Sequence, residues 1–245
     1  IVAMETADLV SLSGTQIRGF STAAIAAMSA GQLQSLTTAQ AASLTEAQRA
    51  ALSPDQVVQA MLDGNARFLS GVHRQRDFLA EMRASAAGQF PAAIVLSCVD
   101  SRAPVEVVCD LGIGDTFNAR VAGNAVNDDI LGSMEFACAA AGAKAVVVMG
   151  HTACGAIKGA IDNVVLGNLT LLLARFKGAI DATTYTGERS SKNYGFVDAV
   201  ATTNVRMVIE TIRERSDVLA GLEKQGKIKM VGAMYDIATG KVSLV

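Results

Sequence analysis

Two apolar, β-branched runs most constrain what this chain of 245 residues can fold into. One run, residues 93–97, ends directly before Cys98, and the other, residues 145–150, ends directly before His151. Such runs are typical of strands that are buried on both faces of a parallel sheet. In open α/β sheets, ligands bind beyond the carboxyl ends of the strands. We therefore expect Cys98 and His151 to lie at one functional edge.

Cys154 follows His151 by three residues, and together with Cys98 these side chains form a Cys2His donor set. Two thiolates and one neutral imidazole suit a tetrahedral zinc ion, one per chain. Three protein ligands leave the fourth position open, which indicates a catalytic rather than a structural site. The alternatives for the two cysteines are a disulfide or two inert thiols, and the adjacent histidine disfavours both.

Patterns of strands and helices alternate along most of the chain after residue 53. The predicted strands are residues 92–97, 116–121, 144–150 and 227–235, with a short last strand at 241–245. The predicted helices are residues 54–71, 77–87, 104–111, 127–141, 156–164, 166–180 and 194–215. This order predicts an α/β fold with a mainly parallel central sheet of about four strands plus a short carboxyl-terminal edge strand, flanked by helices on both sides.

The first fifty residues carry a different period. Apolar residues recur at every eighth position, at Leu12, Phe20, Met28, Leu36, Leu44 and Leu52. Each is followed directly by Ser or Thr. In five of the six units, Gln comes three residues after that Ser or Thr. Ser/Thr-x-x-Gln is a capping box, so the pattern predicts very short helices, each with its own cap. Stacked units can share a core as a solenoid does.

We therefore predict an all-α, solenoid-like segment over residues 1–52 and a second domain over residues 53–245. The last cap, Ser53, would also begin the first helix of the second domain, with Pro54 at its first position. One long alanine-rich helix is the alternative for the repeat. Because no residue in the repeat suggests chemistry, we expect an interaction or spacing element whose partner the residues do not identify.

Composition excludes several classes of function. A net charge of -2 and a pI near 5.7 provide no basic face for nucleic acid. No run of about 18 apolar residues is present, so we expect no membrane span. Four cysteines are too few for a disulfide scaffold, and Cys109 and Cys138 fit small buried apolar residues. The chain opens with Ile1 rather than Met, so we expect a processed, cytoplasmic protein, or a periplasmic one if a signal was removed.

The residues around the three ligands resemble the signature segments of a known family, the β-class carbonic anhydrases. Cys98-x-Asp100-Ser101-Arg102 and His151-x-x-Cys154-Gly155 are similar to its two signature segments. Residues 120–124 resemble its third segment, and residues 232–241 resemble its final strand. The resemblance covers about residues 53–245 and leaves residues 1–52 unexplained.

This resemblance implies the reversible hydration of CO2 to bicarbonate and a proton by hydroxide on zinc. Zinc would be held by Cys98, His151 and Cys154. Asp100 would accept a hydrogen bond from the hydroxide, or bind zinc itself and close the site, and Arg102 would hold Asp100 off the metal. On the alternative interpretation, Asp100 and Arg102 form an ordinary surface ion pair that caps a turn.

The resemblance also implies a substrate cleft that is completed across a dimer interface, in a homodimer or a dimer of dimers. Gln89, Phe117 and Phe136 fall at the matching positions, and Gly155 lies beside the third ligand. Each phenylalanine could instead be an ordinary core residue. His73 could shuttle protons, but its basic surroundings are more typical of a solvated loop.

Two other functions stay open on sequence alone. The same zinc hydroxide could attack CS2 or COS, because the motifs do not define the access channel. A catalytically idle zinc scaffold whose repeats recruit a partner is the second alternative. The pair of Asp100 and Arg102 argues against the scaffold, since an idle site does not need a carboxylate that orients hydroxide.

Overall fold

The computed structural model describes the backbone of residues 1–245 and the side chains of all of them except residues 38, 42, 46 and 50. Short helices come first: α1 Thr6–Ser11, α2 Gly14–Arg18, α3 Thr22–Ala26, α4 Ala30–Ser35, α5 Thr38–Ser43 and α6 Glu46–Ala50. Two further helices, α7 Pro54–Ser70 and α8 Phe78–Ser85, precede the first strand. Among the described residues, no helix combines the length and apolar character needed to cross a bilayer.

Helices α2 to α6 begin where the octad pattern predicts. Each follows an extended Ser or Thr, with ψ of 155 to 160°, whose side chain accepts a hydrogen bond from the N–H three residues on. In α2, α4, α5 and α6 the glutamine completes the capping box. Ser21 caps α3 without it, because Ala24 stands in the glutamine position. These repeated extended residues show that the alternative of one long helix is wrong.

The glutamines also join successive coils of the repeat. Helix α1 packs on α4, α2 on α5 and α3 on α6, so one coil contains three octads. Gln40 accepts a bond from the Thr37 N–H through Oε1 (2.8 Å), while its Nε2 donates to the carbonyls of Leu9 and Leu12 (both 2.7 Å). Gln32 and Gln48 make the same bonds, to carbonyls 28 to 31 residues earlier. One side-chain amide thus pairs with a backbone N–H at the start of one helix and with backbone carbonyls at the end of another. These are the backbone groups that a short helix leaves without partners.

A second apolar row completes the core of the repeat. Leu9, Ile17 and Ile25 are fully buried beside Met28, Leu36 and Leu44, whereas Leu12, Phe20 and Leu52 are only partly buried. Ile17 lies one position after Gln16, where a residue can pack against the apolar residue that precedes the cap. The second row runs through Leu9, Ile17, Ile25 and partly buried Leu33, and the sequence pattern above did not identify it.

Helix α7 belongs both to the repeat and to the rest of the chain. Gln56 continues the series, with its Nε2 donating to the carbonyls of Ala26 (3.0 Å) and Met28 (2.5 Å). Val57 and Met61, on another side of α7, are buried against the central sheet. A division of the chain into domains at residue 52 therefore stays a prediction, since α7 continues the stack beyond that point.

The sheet has the order β2-β1-β3-β4-β5, and only its last pair is antiparallel. The strands are β1 Ala93–Ser97, β2 Thr116–Arg120, β3 Ala145–His151, β4 Lys229–Tyr235 and β5 Val242–Leu244. This confirms the predicted parallel sheet of four strands with an edge strand. In the register of the sheet, Ser97 lies opposite both Arg120 and Met149, so β1 and β2 end side by side and β3 continues two residues further, to His151.

Helices cover both faces of the sheet. They are α9 Val105–Val108, α10 Asp128–Glu135 with a π-helical turn Phe136–Ala140, α11 Gly155–Ile161, α12 Gly167–Ala174, α13 Lys177–Ala182, α14 Tyr194–Arg215 and α15 Asp217–Lys224. Along β1, Ile94 and Leu96 pack toward α14, whereas Ala93 and Val95 pack toward α7. This alternation is expected of a strand that is buried on both faces.

Two helix predictions need correction. The single helix predicted over residues 166–180 is broken into α12 and α13 at Phe176, a fully buried side chain that packs against Gly123. Helix α15 was not predicted. It begins at Ser216, whose Oγ accepts from the Leu219 N–H (3.2 Å) and donates to Glu135 (2.5 Å), so a cap and a tertiary contact define a helix that the sequence pattern shows only weakly.

Replacing Gln40 by Glu should lower the free energy of unfolding by about 2 kcal/mol. The glutamate keeps the acceptor for the Thr37 N–H but cannot donate to the carbonyls of Leu9 and Leu12. Urea denaturation of the full chain, followed by circular dichroism, measures the loss.

Gln16→Glu is the matched control. Gln16 forms the capping box of α2 but, within the described part of the chain, bonds to no other coil. Glutamate is itself a capping-box residue and suits a helix amino terminus, so this variant should change the free energy of unfolding by less than about 0.5 kcal/mol. Equal losses in the two variants would contradict the cross-coil role of Gln40.

Candidate metal centre

Cys98 is held at the end of β1 by the turn that follows β2. Its Sγ accepts a hydrogen bond from the Gly123 N–H at 3.2 Å. Gly123 has φ +65°, and a Cβ there would lie 2.4 Å from Cζ of Phe176. Both the left-handed backbone and the close approach require glycine at this position. The sulfur is therefore buried and has a fixed N–H donor.

His151 is the last residue of β3, and its ring orientation is set by its neighbour. Nδ1 lies 2.9 Å from the carbonyl oxygen of Thr152, which can only accept a hydrogen bond, so the proton is assigned to Nδ1. Nε2 then carries the lone pair. It is fully buried and has no hydrogen-bond partner among the described residues. A buried ring nitrogen of this kind usually has a bonding partner, and a metal ion is a common partner for histidine.

Cys154 caps the start of α11 and follows a residue in an unfavourable conformation. Ala153 has φ +55°, which is uncommon for a residue with a side chain. Its N–H donates to Oδ1 of Asp198, on α14, at 2.7 Å. The short strong bond to a carboxylate stabilises the turn that carries Cys154 toward Cys98 and His151.

The three side chains come together as predicted. One ligand atom from each of Cys98, His151 and Cys154 lies within 4.8 Å of the others, and all three residues are buried. Two sulfurs and an imidazole nitrogen without a proton match the donors that zinc prefers. The cluster could therefore hold a metal ion, and the unpartnered Nε2 fits that occupancy.

The protonation states of the cluster follow from its hydrogen bonds. The Cys154 thiol donates to Cys98, which lowers the pKa of Cys98 and raises that of Cys154. Burial lowers the pKa of His151, but the negative charges of Cys98 and Asp100 and the carbonyl of Thr152 outweigh it and raise this pKa. Both cysteines are free, so the disulfide alternative is wrong. One thiolate is thus present before a metal binds.

The other two cysteines show the contrast. Cys109 and Cys138 are buried and free, as predicted, and desolvation raises the pKa of each thiol to about 12. Neither is a thiolate at neutral pH. Among the described cysteines, only Cys98 has a lowered pKa, and only Cys98 and Cys154 lie in a cluster with a histidine that could hold a metal ion.

Asp100 lies beside the cluster and is fixed by Arg102. Its Oδ1 accepts from the Arg102 N–H (3.0 Å) and Nε (2.9 Å), and its Oδ2 accepts from Nη2 (2.7 Å). The same Oδ2 is 3.7 Å from Nε2 of His151. The hydrogen bond from Arg102 holds the pKa of Asp100 well below its usual range. The pair does cap a turn, but the carboxylate, which is only 15% exposed, also lies beside the candidate ligand His151.

Two positioning residues were not predicted as part of the site. Arg120 donates from Nε to the carbonyl of Cys98 (2.9 Å) and from Nη2 to the carbonyl of Asp100 (2.6 Å), which fixes the backbone between them. Arg120 begins residues 120–124, the segment that resembles the third segment of the family, and this position could have identified it. Asp198 is 45 residues from its partner Ala153, and its local sequence carries no comparable signal.

Within one chain, the predicted cleft residues do not gather around the cluster. Phe117 contacts Phe136 edge to face, with ring centroids 5.9 Å apart. Phe117 lies opposite Ile94, about 10 Å before the carboxyl end of β2. Phe136 is 54% exposed, so it is not a core residue of the single chain, and exposed Gln89 precedes β1. Gly155 does lie beside Cys154 and faces open space.

His73 is also far from the cluster. It lies in the loop after α7, its ring is 51% exposed, and its Nδ1 is 3.7 Å from Oδ1 of Asp110. Asp110 follows α9 toward the amino end of the sheet, the opposite end from Cys98. The solvated-loop interpretation of His73 agrees with this position.

Fold and site together define an α/β protein with a Cys2His cluster at the carboxyl edge of its sheet. A family model described as carbonic anhydrase matches residues 93–242. The chain is 31% identical over 194 residues to a carbonic anhydrase of Mycolicibacterium smegmatis, which covers 78% of this chain and 93% of the relative. Carbonic anhydrase 2 of Mycobacterium tuberculosis is 29% identical with the same coverage. The chain belongs to the β-carbonic anhydrase family.

Solved structures agree with the fold. A β-carbonic anhydrase of the fungal pathogen Aspergillus fumigatus superposes with a TM-score of 0.60 at 25% identity, over 77% of this chain and 90% of that one. One of two tetrameric β-carbonic anhydrases from the ascomycete Sordaria macrospora gives a TM-score of 0.59 at 24% identity, over 78% and 97%. A separate model, the ALTTAQ repeat, matches residues 1–38 and confirms that the amino-terminal segment is a repeat.

Asp198→Ala should weaken zinc binding by about 10- to 100-fold, because the turn at Ala153 loses the acceptor that stabilises it. Asp198→Asn is the matched control, since its amide oxygen can still accept the Ala153 N–H. Competition between the metal-free protein and a chromogenic chelator measures the affinity. Wild-type affinity in Asp198→Ala, with the fold intact by circular dichroism, would show that Asp198 does not position Cys154.

Proposed function

We propose that the chain catalyses the reversible hydration of CO2 to bicarbonate and a proton, with one zinc ion held by Cys98, His151 and Cys154. The observation that carries the proposal is the buried Cys2His cluster with an Arg-held carboxylate at its edge. Membership of the β-carbonic anhydrase family supports the same reaction.

A zinc ion with three protein ligands would bring the pKa of a bound water to about 7 and so supply hydroxide near neutral pH. The protein contributes the geometry. Gly123 fixes the sulfur of Cys98, Thr152 fixes the tautomer of His151, and Asp198 fixes the turn before Cys154. These contacts orient the ligands before a metal arrives.

Asp100 acts by orientation rather than by taking a proton. Its pKa lies far below neutrality because of the hydrogen bond from Arg102, so the carboxylate is charged throughout the working range and is a weak base. A charged carboxylate only accepts hydrogen bonds. The carboxylate lies 3.7 Å from Nε2 of His151. It can therefore accept a hydrogen bond from the hydroxide that zinc would hold and so orient the lone pair of that hydroxide toward CO2.

Arg102 determines where that carboxylate stays. Its guanidinium and backbone N–H occupy both oxygens of Asp100. Loss of these bonds would free the carboxylate to become a fourth ligand and close the site. The balance between open and closed states therefore depends on an arginine whose side chain is 54% exposed, where salt weakens the pair.

Asp100→Asn should lower kcat/KM for CO2 hydration by about 100-fold or more, because the amide can donate a hydrogen bond where only an acceptor is useful. Zinc content should stay at one per chain, since Asp100 is not a ligand in the open state. Stopped-flow hydration against pH, with zinc measured on the same samples, tests both points.

The same assay separates the alternative functions. One zinc per chain with no hydration between about pH 7 and 9 would reject the proposal and favour the idle scaffold. Hydrolysis of CS2 or COS without hydration of CO2 would favour the related hydrolase. Cys154→Ser should lose zinc, and unchanged zinc content there would reject the ligand set.

We also propose that two chains complete each other's substrate cleft, in a homodimer or a dimer of dimers. Exposed apolar side chains support an interface: Phe78, Leu79, Met82, Val107, Ile113 and Phe136. The outer edge of β2 is unpaired in the single chain. Gln89, Phe117 and Phe136 lie away from their own cluster, so they could contribute to a cleft only on a partner.

Co-expression of two inactive variants tests this arrangement. Asp100→Asn removes the orienting carboxylate, and Gln89→Ala with Phe136→Ala removes the contributed cleft. A mixed dimer contains one site with both sets intact, so random pairing should restore about a quarter of wild-type activity. Activity no higher than the mean of the two variants would show that the cleft residues do not serve the partner's site.

A further inference from the structure

The turn between β4 and β5 lies directly beside the candidate metal centre. Strand β4 ends at Tyr235, which pairs with His151 in the register of the sheet. The Thr152 N–H then donates to the Tyr235 carbonyl (3.0 Å), so backbone pairing continues one residue beyond β3. Neither the three ligands nor the pair of Asp100 and Arg102 accounts for what this turn contributes.

The side chain of Thr152 makes a second contact with the turn. Its Oγ1 accepts a hydrogen bond from the Ile237 N–H at 3.0 Å. The two residues are 85 positions apart in the sequence, so this bond joins segments that only the folded sheet brings together. A hydroxyl oxygen can accept a hydrogen bond from a backbone N–H, whereas an apolar side chain of the same shape cannot.

Bonds within the turn hold its shape. Oδ1 of Asp236 accepts from the N–H groups of Ala238 (2.8 Å) and Thr239 (3.3 Å). The Asp236 carbonyl accepts from the Gly240 N–H (2.8 Å), and the Asp236 N–H donates to the Lys241 carbonyl (2.8 Å). An aspartate that bonds to backbone N–H groups just after it is a typical turn-forming residue. The N–H that Thr152 accepts therefore belongs to a well-fixed turn.

Helix α7 fixes this turn in place. Asn65 of α7 is buried; its Nδ2 donates to the Gly240 carbonyl (2.8 Å), and its Oδ1 accepts from the Val242 N–H (2.8 Å). Gly240 also packs closely on α7, since a Cβ there would lie 2.9 Å from Cε1 of Phe68. Because Gln56 ties the start of α7 to the repeat, the turn is connected through α7 to the stacked octads.

The main chain of Thr152 leads to the ligand. Its carbonyl oxygen lies 2.9 Å from Nδ1 of His151 and is the acceptor that fixes the tautomer. In the same peptide unit, the Ala153 N–H donates to Oδ1 of Asp198. Asp198 therefore limits rotation of the peptide unit, whereas the bond from Ile237 limits movement of Thr152 itself. Partners of this kind orient a metal-binding histidine, and their loss typically costs about 10- to 100-fold in metal affinity.

We propose that the hydroxyl of Thr152 positions the histidine ligand, because it anchors the carbonyl that orients His151 to the β4–β5 turn. The inference rests on the zinc site of the proposed function. Thr152 acts through His151 and not on the substrate, so it is a positioning residue. Its loss should change the affinity for zinc and the mobility of the His151 ring, and should change turnover only as a consequence.

The zinc affinity of Thr152→Val, measured on the full chain by chelator competition, tests this role. Valine keeps the shape of threonine but leaves the Ile237 N–H without its acceptor, so we expect binding about tenfold weaker than in the wild type. Thr152→Ala lacks the same acceptor and adds no bulk, so it should show the same loss. Thr152→Ser keeps a hydroxyl and should bind zinc like the wild type.

Thr170→Val is the matched control. Oγ1 of Thr170 also accepts a backbone N–H, that of Leu166 (2.9 Å), and Thr170 is partly buried like Thr152. This bond lies at the start of α12 and does not involve the residues that hold the ligands. The control variant should lose stability as Thr152→Val does but keep the wild-type affinity for zinc.

The imidazole protons give a second readout that does not depend on activity. The chain has two histidines, so isotope-labelled histidine in the zinc-loaded chain, with His73→Gln for assignment, isolates the Nδ1–H signal of His151 by NMR. In Thr152→Val this proton should exchange with water about tenfold faster than in the wild type, because the loop that carries its acceptor opens more often.

Equal zinc affinity or equal proton exchange in the wild type and Thr152→Val would overturn the proposal. Equal losses of zinc affinity in Thr152→Val and Thr170→Val would also overturn it, as would a Thr152→Ser variant that binds zinc no better than Thr152→Val. In either case the hydroxyl of Thr152 would not be the group responsible. A wild-type chain that bound zinc without any change in the His151 signals would instead reject the ligand set itself, and this role of Thr152 with it.

Discussion

The parallel register of β1 and β3 is the constraint on which the rest of the site depends. Ser97 and Met149 are paired, so Cys98 leaves the sheet beside the last residues of β3. His151 follows two residues after Met149 and still belongs to its strand, paired with Tyr235. A shift of one residue in this pairing would turn each side chain to the other face and separate sulfur from imidazole. The buried apolar side chains that fix the register therefore also fix the distance between the ligands.

The repeat reaches the same sheet through α7. Gln56 ties the start of this helix to the carbonyls of α3, and Arg67 near its end donates to Gln34 of α4 (2.6 Å). Arg67 also pairs with Asp110, which lies between α9 and β2. Val57 and Met61 meanwhile pack on the sheet. The octads are thus joined to the fold by continuous hydrogen bonding and by a shared core rather than by a free linker.

The sequence carried the features that depend on local pattern. The ends of the predicted strands identified Cys98 and His151, and the caps at every eighth residue identified the short helices. Both predictions were possible because each pattern lies within a few consecutive residues. It did not carry contacts between distant segments. The second bond of Gln40, to carbonyls about 30 residues earlier, requires the coils to be stacked first. Asp198 is ordinary in its own helix and gains its role only where α14 passes Ala153. The break at Phe176 depends on a space beside Gly123 that forms only in the folded chain.

Helix α14 unites these distant contacts, because it holds both of the strained turns that present the ligands. Asp198 accepts the N–H of Ala153 in the turn before Cys154. Less than two helical turns further on, Asn204 donates to the carbonyl of Gly123 (3.0 Å), whose N–H faces the sulfur of Cys98. A non-glycine residue in a left-handed conformation, such as Ala153, costs of order 1–3 kcal/mol and persists only where its surroundings over-determine it. A single rigid helix satisfies both turns at once, so the separation of the two sulfurs is set by the spacing of two side chains on α14 as much as by the sheet.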